Sequence, residues 1–456
     1  MDKPKYIFFL GVGGIGMSAL ARYCHQQDYV VYGYDKTATT LTAQLQKEGI
    51  PISFEDEVDA LPNEIKDNPS ETLVVFTPAI PKDNELLNYF KGSNFILQKR
   101  AKVLGRITNS TVNLSVAGTH GKTTTSSIVA TILQHSNVQF SAFLGGISTN
   151  LNSNYYYQEG KTVEHYSVTE ADEFDRSFLE LKPNYAIITS TDADHLDIYG
   201  KKDVLEQSYK EFSKLVTIKE NLFSAASNSN LIQGISYSAT NTKADYYADV
   251  ESKNGKGTRF SIQNNIGLES INDLYLNIPG LHNLENAVGA TLMTLQAGLP
   301  IDSIRKGLAN FKGIKRRFEY VLDNKNVTYI DDYAHHPSEL NAIISSVKEL
   351  YPNRKITAIF QPHLYTRTRD FLEGFAEELT KVNELILLPI YPARELPIEG
   401  VTSEVLLEKI KMQNAICIDK NVVVKELKER DLDVLLTLGA GDIDQLVEMI
   451  KEAYVN

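Results

Sequence analysis

A glycine-rich turn at residues 118–124 constrains the fold of this chain more than any other stretch of its sequence. The segment reads Gly-Thr-His-Gly-Lys-Thr-Thr and follows an apolar run that alternates like a strand, Val112, Leu114 and Val116. An apolar run with helical spacing comes directly after it. The glycines therefore lie on a strand-to-helix turn, where unpaired backbone N–H groups and the positive end of the helix dipole favour an anion.

The lysine and threonine of this turn predict that it binds the phosphates of a nucleotide. In a P-loop, a lysine placed like Lys122 reaches the β- and γ-phosphates, and a hydroxyl placed like that of Thr123 holds Mg²⁺. The match to the common motif is incomplete, because its first glycine would fall near Ala117 and stands at 118 instead. A tight turn with an incidental lysine is the alternative. The predicted phosphate-binding residues are Gly118, Thr119, His120, Gly121, Lys122, Thr123 and Thr124.

A second glycine-rich turn lies near the N-terminus. An apolar strand at residues 6–10 leads into Gly-Val-Gly-Gly-Ile-Gly at 11–16, and a second strand at 30–34 ends in an acid. This is the dinucleotide-binding fingerprint, and taken alone it predicts an NAD-linked dehydrogenase. The same geometry serves any pyrophosphate, including that of a UDP-sugar. The candidate substrate-binding residues here are Gly11, Gly13, Gly14, Ile15, Gly16 and Asp35.

Length and the order of elements predict three α/β domains. A chain of 456 residues is too long for one core, and strand-like runs alternate with helical ones. We predict a Rossmann-like N-terminal domain at 1–108, a central P-loop ATPase with a mainly parallel sheet at 109–313, and a Rossmann-like C-terminal domain at 314–456. The polar, asparagine-rich residues 221–278 are expected to extend the edge of the central sheet.

Charge and composition argue against several kinds of partner. The net charge of −12 disfavours non-specific binding to nucleic acid and to anionic membranes, and no apolar stretch approaches the ~18–20 residues of a membrane helix. The two cysteines, Cys24 and Cys417, are too few for a disulfide framework. We expect a cytoplasmic protein, monomer or homodimer, that neither binds nucleic acid nor inserts into a membrane.

Two strands of the predicted central sheet each end in a cluster of acids. Glu170–Asp175 follows one strand and Asp192–Asp197, which includes His195, follows the other. Strand carboxyl ends line the ligand crevice of an open α/β sheet, so these side chains are expected beside Lys122. Solvated turn residues are the alternative. The nearby phosphate site favours a metal, because Mg²⁺ takes oxygen ligands and accompanies nucleotides.

Two later stretches add candidate nucleotide contacts. The amides of Asn283 and Asn286 can hydrogen-bond a purine edge, and the alternative is an asparagine that caps the following helix without a ligand. The basic stretch 311–318 contains Arg316 and Arg317 after a helical run. An arginine there can clamp a phosphoryl group from a neighbouring domain, and a solvated basic turn is the alternative.

The third predicted domain again carries polar residues at strand ends. Strands at 327–330 and 356–360 are followed by Asp331, Asp332, Tyr333, His335, His336, His363, Arg367 and Arg369. Acids and histidines together can bind a metal. Because the phosphate-binding turn and the acid clusters lie in the middle domain, we do not favour a metal cluster here, although it stays an alternative.

The order of these motifs resembles that of the Mur ligases of bacterial peptidoglycan synthesis. The resembling segments span nearly the whole chain: 11–16, 118–124, 170–173, 192–195, 282–286, 316–318, 331–337 and 360–363. Each is weak to moderate alone, and their order and spread make the assignment specific. The resemblance implies a three-domain ligase with an N-terminal UDP-sugar domain, a central ATPase and a C-terminal domain that receives the amino acid.

The resemblance also implies a reaction. ATP phosphorylates the lactyl carboxylate of UDP-N-acetylmuramate, and the amine of L-alanine attacks the acyl phosphate to form an amide. A recycling ligase of the same family, which adds a tripeptide instead of L-alanine, is the nearest alternative. A non-catalytic nucleotide-binding module is a more distant one.

Roles carry over by resemblance, residue by residue. The positions that match phosphate- and Mg²⁺-binding residues of the family are Lys122, Thr123, Glu170, His195 and Arg317. The positions that match adenine contacts are Asn283 and Asn286, and those that match residues facing nucleotide or amino acid are Asp332, Tyr333 and His335. Arg367 is the candidate for the carboxylate of L-alanine or for phosphate.

Two positions depart from the family pattern or leave it open. Many relatives have arginine directly after Gln-Pro-His, where this chain has Leu364. Arg367 or Arg369 must then supply that positive charge, or it is absent. Sister ligases carry a carbamylated lysine at a distance that Lys210 matches here, and we favour an unmodified helix lysine.

Overall fold

The structure is a computed structural model that describes residues 4–192, 202–254, 257–393 and 395–455. It divides the chain into two units, Met1–Lys312 and Gly313–Asn456. Over the described residues, the first unit contains two β-sheets and the second contains one. The predicted α/β class with mainly parallel sheets is confirmed.

The N-terminal sheet is parallel throughout its described strands. These strands are β1 Tyr6–Leu10, β2 Val30–Tyr34, β3 Ile52–Ser53, β4 Thr72–Phe76 and β5 Ile96–Lys99. Their order is β3-β2-β1-β4-β5. Every residue of β1 is buried, as expected for a parallel sheet covered on both faces. The carboxyl ends of β1 and β5 lie on the same edge, and each leads into a helix.

The central sheet contains the P-loop strand. Its described strands are β6 Val112–Ala117, β7 Gln139–Ser148, β8 Ser153–Gln158, β9 His165–Ala171, β10 Tyr185–Ile188, β11 Leu222–Ala225, β12 Ile235–Ser238, β13 Tyr246–Asn254, β14 Gly257–Asn264 and β15 Ile271–Leu276. Their order is β15-β14-β13-β12-β11-β10-β6-β9-β7-β8, parallel in the middle and antiparallel at both edges. The expected extension of this sheet by residues 221–278 is confirmed, since β11 to β15 fall in that range.

The sheet of the second unit has a parallel centre. Its described strands are β16 Glu319–Asp323, β17 Thr328–Asp332, β18 Ile356–Phe360, β19 Glu384–Leu387, β20 Ala415–Cys417 and β21 Val434–Leu438, in the order β16-β17-β21-β18-β19-β20. Only β16 runs antiparallel among these described strands. Because β21 lies between β17 and β18, the polar segments that follow these strands meet at one edge.

Helices connect the strands and cover the sheets. In the first unit the described α-helices are Ile15–Gln26, Thr40–Lys47, Asn63–Lys66, Glu85–Lys91, Arg100–Thr108, Lys122–Gln134, Lys202–Ser213, Leu281–Gln296 and Ile301–Asn310. In the second unit they are Pro337–Leu350, Tyr365–Asp370, Leu372–Leu379, Ser403–Lys409, Val423–Lys428 and Gln445–Tyr454. None of these helices has the length and apolar composition that crossing a membrane requires.

The two sheets of the first unit share a hydrophobic core. Helix Ile15–Gln26 packs on the β7–β8 hairpin, where the fully buried Asn154 donates to the carbonyl of Ile15 at 2.5 Å and to Ser18 Oγ at 2.8 Å. Asn154 also accepts a hydrogen bond from Arg22. An amide buried in this way is costly to leave unpaired, so it fixes the helix in one position on the hairpin.

Candidate active site

The predicted P-loop is a strand-to-helix turn that needs its two glycines. Gly118 and Gly121 have φ angles of 134° and 82°, which side chains rarely adopt. A Cβ at Gly118 would lie 2.8 Å from the backbone N of Ser190, and one at Gly121 would lie 2.6 Å from Asn286 Oδ1. Both close approaches therefore exclude a side chain at these positions.

The segment that follows β10 holds the turn in place. Thr119 N donates to the carbonyl of Ser190 at 3.2 Å, and His120 N donates to Ser190 Oγ at 2.8 Å. The Thr119 hydroxyl donates to the carbonyl of Asp192 at 2.7 Å. The residues between β10 and the second acid cluster thus contact the predicted phosphate-binding turn directly. This agrees with the expectation that the carboxyl ends of neighbouring strands line one crevice.

Lys122 is the first residue of the helix that follows, and it is paired with a buried carboxylate. Its Nζ lies 3.0 and 2.9 Å from the two carboxylate oxygens of Glu173 and donates to the carbonyl of Gly118 at 2.5 Å. Burial disfavours the ammonium, but the charges of Glu173, Glu170 and Asp172 outweigh it and raise the pKa of Lys122. Burial raises the pKa of Glu173, against the effect of Lys122.

The predicted metal ligands Thr123 and Glu170 lie together. Thr123 Oγ1 donates to Glu170 Oε1 at 3.0 Å, and the backbone N of Gly145 donates to Glu170 Oε2 at 2.8 Å. A Cβ at Gly145 would stand 2.5 Å from the Glu170 carboxyl carbon, so only glycine leaves room for this carboxylate. A hydroxyl and an oriented carboxylate are the oxygen donors that Mg²⁺ prefers, and they fit this ion.

The other predicted metal ligand, His195, lies outside the described residues. Within the residues that are described, no group of three or more His, Cys, Asp or Glu side chains has a geometry that could hold a metal. The alternative metal cluster of the second unit, built from Asp331, Asp332, His335 and neighbouring histidines, is therefore not observed.

The two predicted adenine contacts are buried, and Asn286 lies against the predicted phosphate-binding turn. Asn283 and Asn286 are 5% and 7% exposed. The N-cap of helix Leu281–Gln296 is Gly280, without a side-chain hydrogen bond, so the alternative that an asparagine caps this helix is wrong. Asn283 Nδ2 instead donates to the carbonyl of Pro279 at 2.6 Å, and Asn286 packs on Gly121.

The N-terminal glycine turn is closed by its own acid. Gly13 N donates to Asp35 Oδ2 at 2.8 Å, and a Cβ at Gly13 would stand 2.8 Å from the same oxygen. Gly11 has a φ angle of 82°. Gly14 is the N-cap of helix Ile15–Gln26, again without a side-chain hydrogen bond. The carboxylate of Asp35 thus shapes the turn, and the helix N-terminus is open to an anion.

In the second unit, the adjacent arginines 316 and 317 differ in their surroundings. Arg316 Nη2 donates to the carbonyl of Gly439 at 2.6 Å, its Nε lies 3.4 Å from Asp331 Oδ2, and its guanidinium packs over the ring of Tyr333 at 5.0 Å. Arg317 is exposed. Arg316 therefore has a structural role in this unit, and Arg317 presents its charge to solvent.

Two acids end β17, the buried Asp331 and the half-buried Asp332. Asp331 accepts a hydrogen bond from Thr437 Oγ1 at 2.5 Å, and burial raises its pKa to about 6. Asp332 accepts from the backbone N of Phe318 at 2.6 Å and of Ala334 at 2.8 Å, and burial raises its pKa to about 7. Asp332 thus ties the segment before β16 to the turn after β17.

His335 lies beside this turn in a partly buried polar group. Its Nδ1 is 2.9 Å from the carbonyl of Tyr333 and 3.3 Å from a carboxylate oxygen of Glu339. Burial lowers the pKa of His335, although Glu339 opposes this effect. A neutral ring with its proton on Nδ1 leaves Nε2 as an acceptor.

Arg367 lies close to the other predicted histidine of this edge. Its Nη1 is 3.2 Å from His363 Nδ1, and the ring of His363 stacks on Tyr391 with 5.7 Å between centroids. Leu364, which stands where many relatives have arginine, has a φ angle of 70° and begins helix Tyr365–Asp370. Lys210, the candidate for carbamylation, lies half-buried on helix Lys202–Ser213.

Several of these residues were not found by sequence reasoning. Gly145 orients Glu170 from a strand that carries no motif, and Ser190 holds the P-loop through its backbone and side chain. Glu173 belongs to a predicted acid cluster, but its pairing with Lys122 was not predicted. A glycine within an apolar strand is the signal that could have pointed to Gly145, because such a glycine often marks a close approach.

The fold is that of the Mur ligases, and the chain belongs to this family. It matches the models of the Mur ligase family catalytic domain over residues 6–111, the Mur ligase middle domain over 116–294 and the Mur ligase glutamate ligase domain over 316–442. The ATP-binding middle domain contains the P-loop and the acids described above.

Its relatives include curated UDP-N-acetylmuramate–L-alanine ligases. That of Flavobacterium psychrophilum is 48% identical, with 99% of this chain and 98% of the relative covered, and that of Christiangramia forsetii is 45% identical, with 100% and 99% covered. The crystal structure of UDP-N-acetylmuramate-alanine ligase from Thermotoga maritima is similar with a TM-score of 0.82 and 28% identity, covering 99% of both chains. The murein peptide ligase of Psychrobacter arcticus shares the fold, with a TM-score of 0.72 and 21% identity over 98% of both chains.

Proposed function

We propose that this chain is an ATP-dependent ligase that joins the lactyl carboxylate of UDP-N-acetylmuramate to the amine of L-alanine in peptidoglycan precursor synthesis. The observation that carries the proposal is the pairing of two consecutive P-loop residues with two acids of one segment, Lys122 with Glu173 and Thr123 with Glu170. Relatives of this name at 45–48% identity over the full length support the choice of substrates.

The chemistry requires that the carboxylate be activated first. A carboxylate is a poor electrophile, and ATP converts one of its oxygens into a phosphate leaving group. The amine of L-alanine then attacks the acyl phosphate, the C–N bond forms, phosphate leaves, and the amine gives up a proton. Phosphoryl transfer depends mainly on positioning and on positive charge around the transferring group, which is the kind of site that the P-loop forms.

The P-loop residues have separate roles in this proposal. The backbone N–H groups of 118–124 bind the phosphates at the start of helix Lys122–Gln134. Lys122 neutralises the γ-phosphoryl group as charge develops there, which requires it to exchange an acceptor on Glu173 or Gly118 for phosphate oxygen. Asn283 and Asn286 bind the adenine.

Thr123 and Glu170, with His195 by family resemblance, would hold Mg²⁺. The 3.0 Å contact between the Thr123 hydroxyl and the Glu170 carboxylate supports this assignment, because both are oxygen ligands of the kind that the ion prefers. When bound, Mg²⁺ would offset phosphate charge during transfer. Gly145 N–H keeps the Glu170 carboxylate turned toward Thr123.

The other candidate residues bind the two substrates that are joined. The turn formed by Gly11, Gly13, Gly14, Ile15 and Gly16, shaped by Asp35, binds the pyrophosphate of the UDP-sugar. The second unit contributes side chains for phosphate and for the amino acid: Arg317, Asp332, Tyr333, His335 and Arg367. We place the reaction in the cytoplasm, where ATP is available, and propose a monomer or homodimer acting on small molecules.

Phosphate release with UDP-N-acetylmuramate and a panel of amino acids tests this function. We expect release only when ATP, Mg²⁺, UDP-N-acetylmuramate and L-alanine are all present, and loss of alanine-dependent ADP release in Lys122→Ala. Incorporation of a tripeptide but not of L-alanine would make the chain a recycling ligase. Unchanged function in Lys122→Ala would favour a non-catalytic nucleotide-binding module, and nicotinamide binding would favour a dehydrogenase.

A further inference from the structure

Two cations at the edge of the N-terminal sheet have no role in the mechanism above. Lys99 ends β5, and Arg100 begins helix Arg100–Thr108. They lie at the carboxyl edge of the sheet, where the glycine turn 11–16 also lies. In an open α/β sheet, ligands bind at this edge.

Arg100 packs directly against the glycine turn. A Cβ at Gly16 would stand 2.5 Å from Arg100 Nη1, 3.2 Å from its Cζ and 3.4 Å from its Cδ. The guanidinium therefore lies on the backbone of the first turn of helix Ile15–Gln26, and a side chain at position 16 would displace it. The last position of the glycine motif, Gly16, therefore has no room for a side chain because the Arg100 guanidinium lies against it.

The position of Arg100 adds positive charge where the backbone is already positive. Helices Ile15–Gln26 and Arg100–Thr108 both begin without a side-chain cap and without an acid in the first turn. A cation beside a helix N-terminus is unfavourable unless an anion lies close by. In this structure that anion is the carboxylate of Asp172, 3.2 Å from Arg100 Nη2.

Among the described residues, Asp172 is the hydrogen-bond partner of the Arg100 guanidinium, which leaves most of its donors for a ligand. The guanidinium has five N–H groups, and Asp172 accepts from Nη2. The side chains of Arg100 and Asp172 are 20% and 37% exposed, so a ligand can reach both. A neighbouring pair has the same arrangement, with Lys99 Nζ 2.8 Å from Asp175 Oδ2. These carboxylates are counter-ions that a more highly charged anion can replace.

We propose that Arg100 binds the pyrophosphate of the UDP-sugar, and that Asp172 is the counter-ion which the pyrophosphate displaces. The role rests on the proposed function, because it assigns a residue to the substrate site of that reaction. The pyrophosphate is favoured over the lactyl carboxylate because Arg100 lies on the glycine turn and because a diphosphate carries more charge for a guanidinium to pair with.

Calorimetric titration with UDP-N-acetylmuramate, and with UDP-N-acetylglucosamine, tests the role in the absence of ATP. The second ligand has the same pyrophosphate but no lactyl carboxylate. Arg100→Gln should weaken the binding of both by about tenfold or more, since a charge-assisted hydrogen bond is lost. Arg106→Gln is the matched control, because Arg106 is exposed on the same helix, and it should leave both affinities unchanged.

Asp172→Asn separates a binding role from a structural one. With Arg100 as the pyrophosphate ligand, this variant binds UDP-sugars as tightly as the wild type or more tightly, because the competing carboxylate is gone. An ion pair that served only the fold would make Asp172→Asn and Arg100→Gln weaken binding alike, and that outcome overturns the proposal. Weaker binding of UDP-N-acetylmuramate alone by Arg100→Gln would place Arg100 at the lactyl carboxylate and overturn it too.

Failure of this role is distinguishable from failure of the proposed function. Unchanged binding of both ligands by Arg100→Gln, in a wild type that binds them, overturns the role of Arg100 alone. A wild type that binds neither UDP-sugar overturns the proposed function and this role together.

Discussion

Lys122 of the predicted phosphate-binding turn forms an ion pair with the buried carboxylate of Glu173. The two carboxylate oxygens lie 3.0 and 2.9 Å from Nζ, and the Glu173 side chain is 1% exposed. An ammonium has three donors, and the carbonyls of Gly118 and Thr119 also accept from Nζ, at 2.5 and 3.3 Å. Lys122 must therefore exchange a protein acceptor for a phosphate oxygen when a nucleotide binds.

This exchange predicts the behaviour of Glu173→Gln. Removing one partner of a buried ion pair typically costs about 3–5 kcal/mol, because a charge is left unpaired. Bound ATP supplies a new anionic partner for Lys122, without competition from a carboxylate. We expect the variant to melt at a lower temperature than the wild type and to gain more from ATP and Mg²⁺, measured as the ligand-induced rise in Tm. Glu180→Gln is the control, because Glu180 is an exposed acid, and its ligand-induced rise in Tm should equal that of the wild type. A smaller ligand-induced rise in Tm for Glu173→Gln than for the wild type would contradict the exchange.

Gly145→Ala tests whether the Glu170 carboxylate must be oriented. The added methyl would stand 2.5 Å from the carboxyl carbon and Oε1 of Glu170, and it would push the group away from Thr123. Loss of a partner that orients a metal ligand typically costs ten- to a hundredfold in affinity or activity, so we expect about that loss in alanine-dependent ADP release.

The control for this variant is Gly92→Ala. Gly92 caps a helix at a φ angle of −82°, and its methyl would meet Asn88 O at 3.4 Å, an ordinary contact. Turnover should then be unchanged. Wild-type turnover in Gly145→Ala, with its fold verified by circular dichroism, would show that orientation of Glu170 does not limit the reaction.

The neighbouring arginines 316 and 317 should separate stability from activity. Arg316→Gln loses the hydrogen bond to Gly439 and the stacking on Tyr333, so we expect the free energy of unfolding to fall by about 1.5–3 kcal/mol. Arg317→Gln removes an exposed charge and should leave stability unchanged while lowering turnover. Urea unfolding and phosphate release measure the two effects. Equal losses of stability in both variants would contradict this division.

Asp332 predicts a pH-dependent stability. Burial raises its pKa from 3.8 to about 7, so between these values the folded chain holds a proton that the unfolded chain has lost. Raising the pH through this window therefore lowers the stability of the wild type. Asp332→Asn cannot ionise, so the Tm of the wild type minus that of the variant should fall as the pH rises from about 4 to about 8. A difference that stays constant over this range would contradict the prediction.

Local patterns predicted much of the local structure around the candidate nucleotide site. The apolar alternation before residue 118 and the helical spacing after 122 correspond to β6 and helix Lys122–Gln134. The rule that strand ends share a crevice brought Thr123 and Glu170 together, because β6 and β9 are neighbours with Val116 paired to Glu170.

Contacts that depend on sheet order could not be predicted in this way. Gly145 lies on β7, which is the neighbour of β9 on the side away from β6. This position brings Gly145 to the Glu170 carboxylate, and no local pattern encodes that strand order. The pairing of Glu173 with Lys122 depends on how the chain turns after β9, where Asp175 and Arg176 adopt φ angles of 52° and 56°. Such left-handed residues other than glycine leave little trace in the sequence.

The interlock of Asn154 with helix Ile15–Gln26 has a consequence for inhibitor design. Because this buried amide joins the helix of one sheet to a hairpin of the other, the glycine turn at 11–16 and the P-loop belong to one packed unit with a shared core. A molecule that tethers a uridine diphosphate to an adenine nucleotide through a stiff spacer that matches the distance between the two turns should therefore outcompete the same molecule with a flexible spacer, since the stiff spacer loses less conformational entropy on binding.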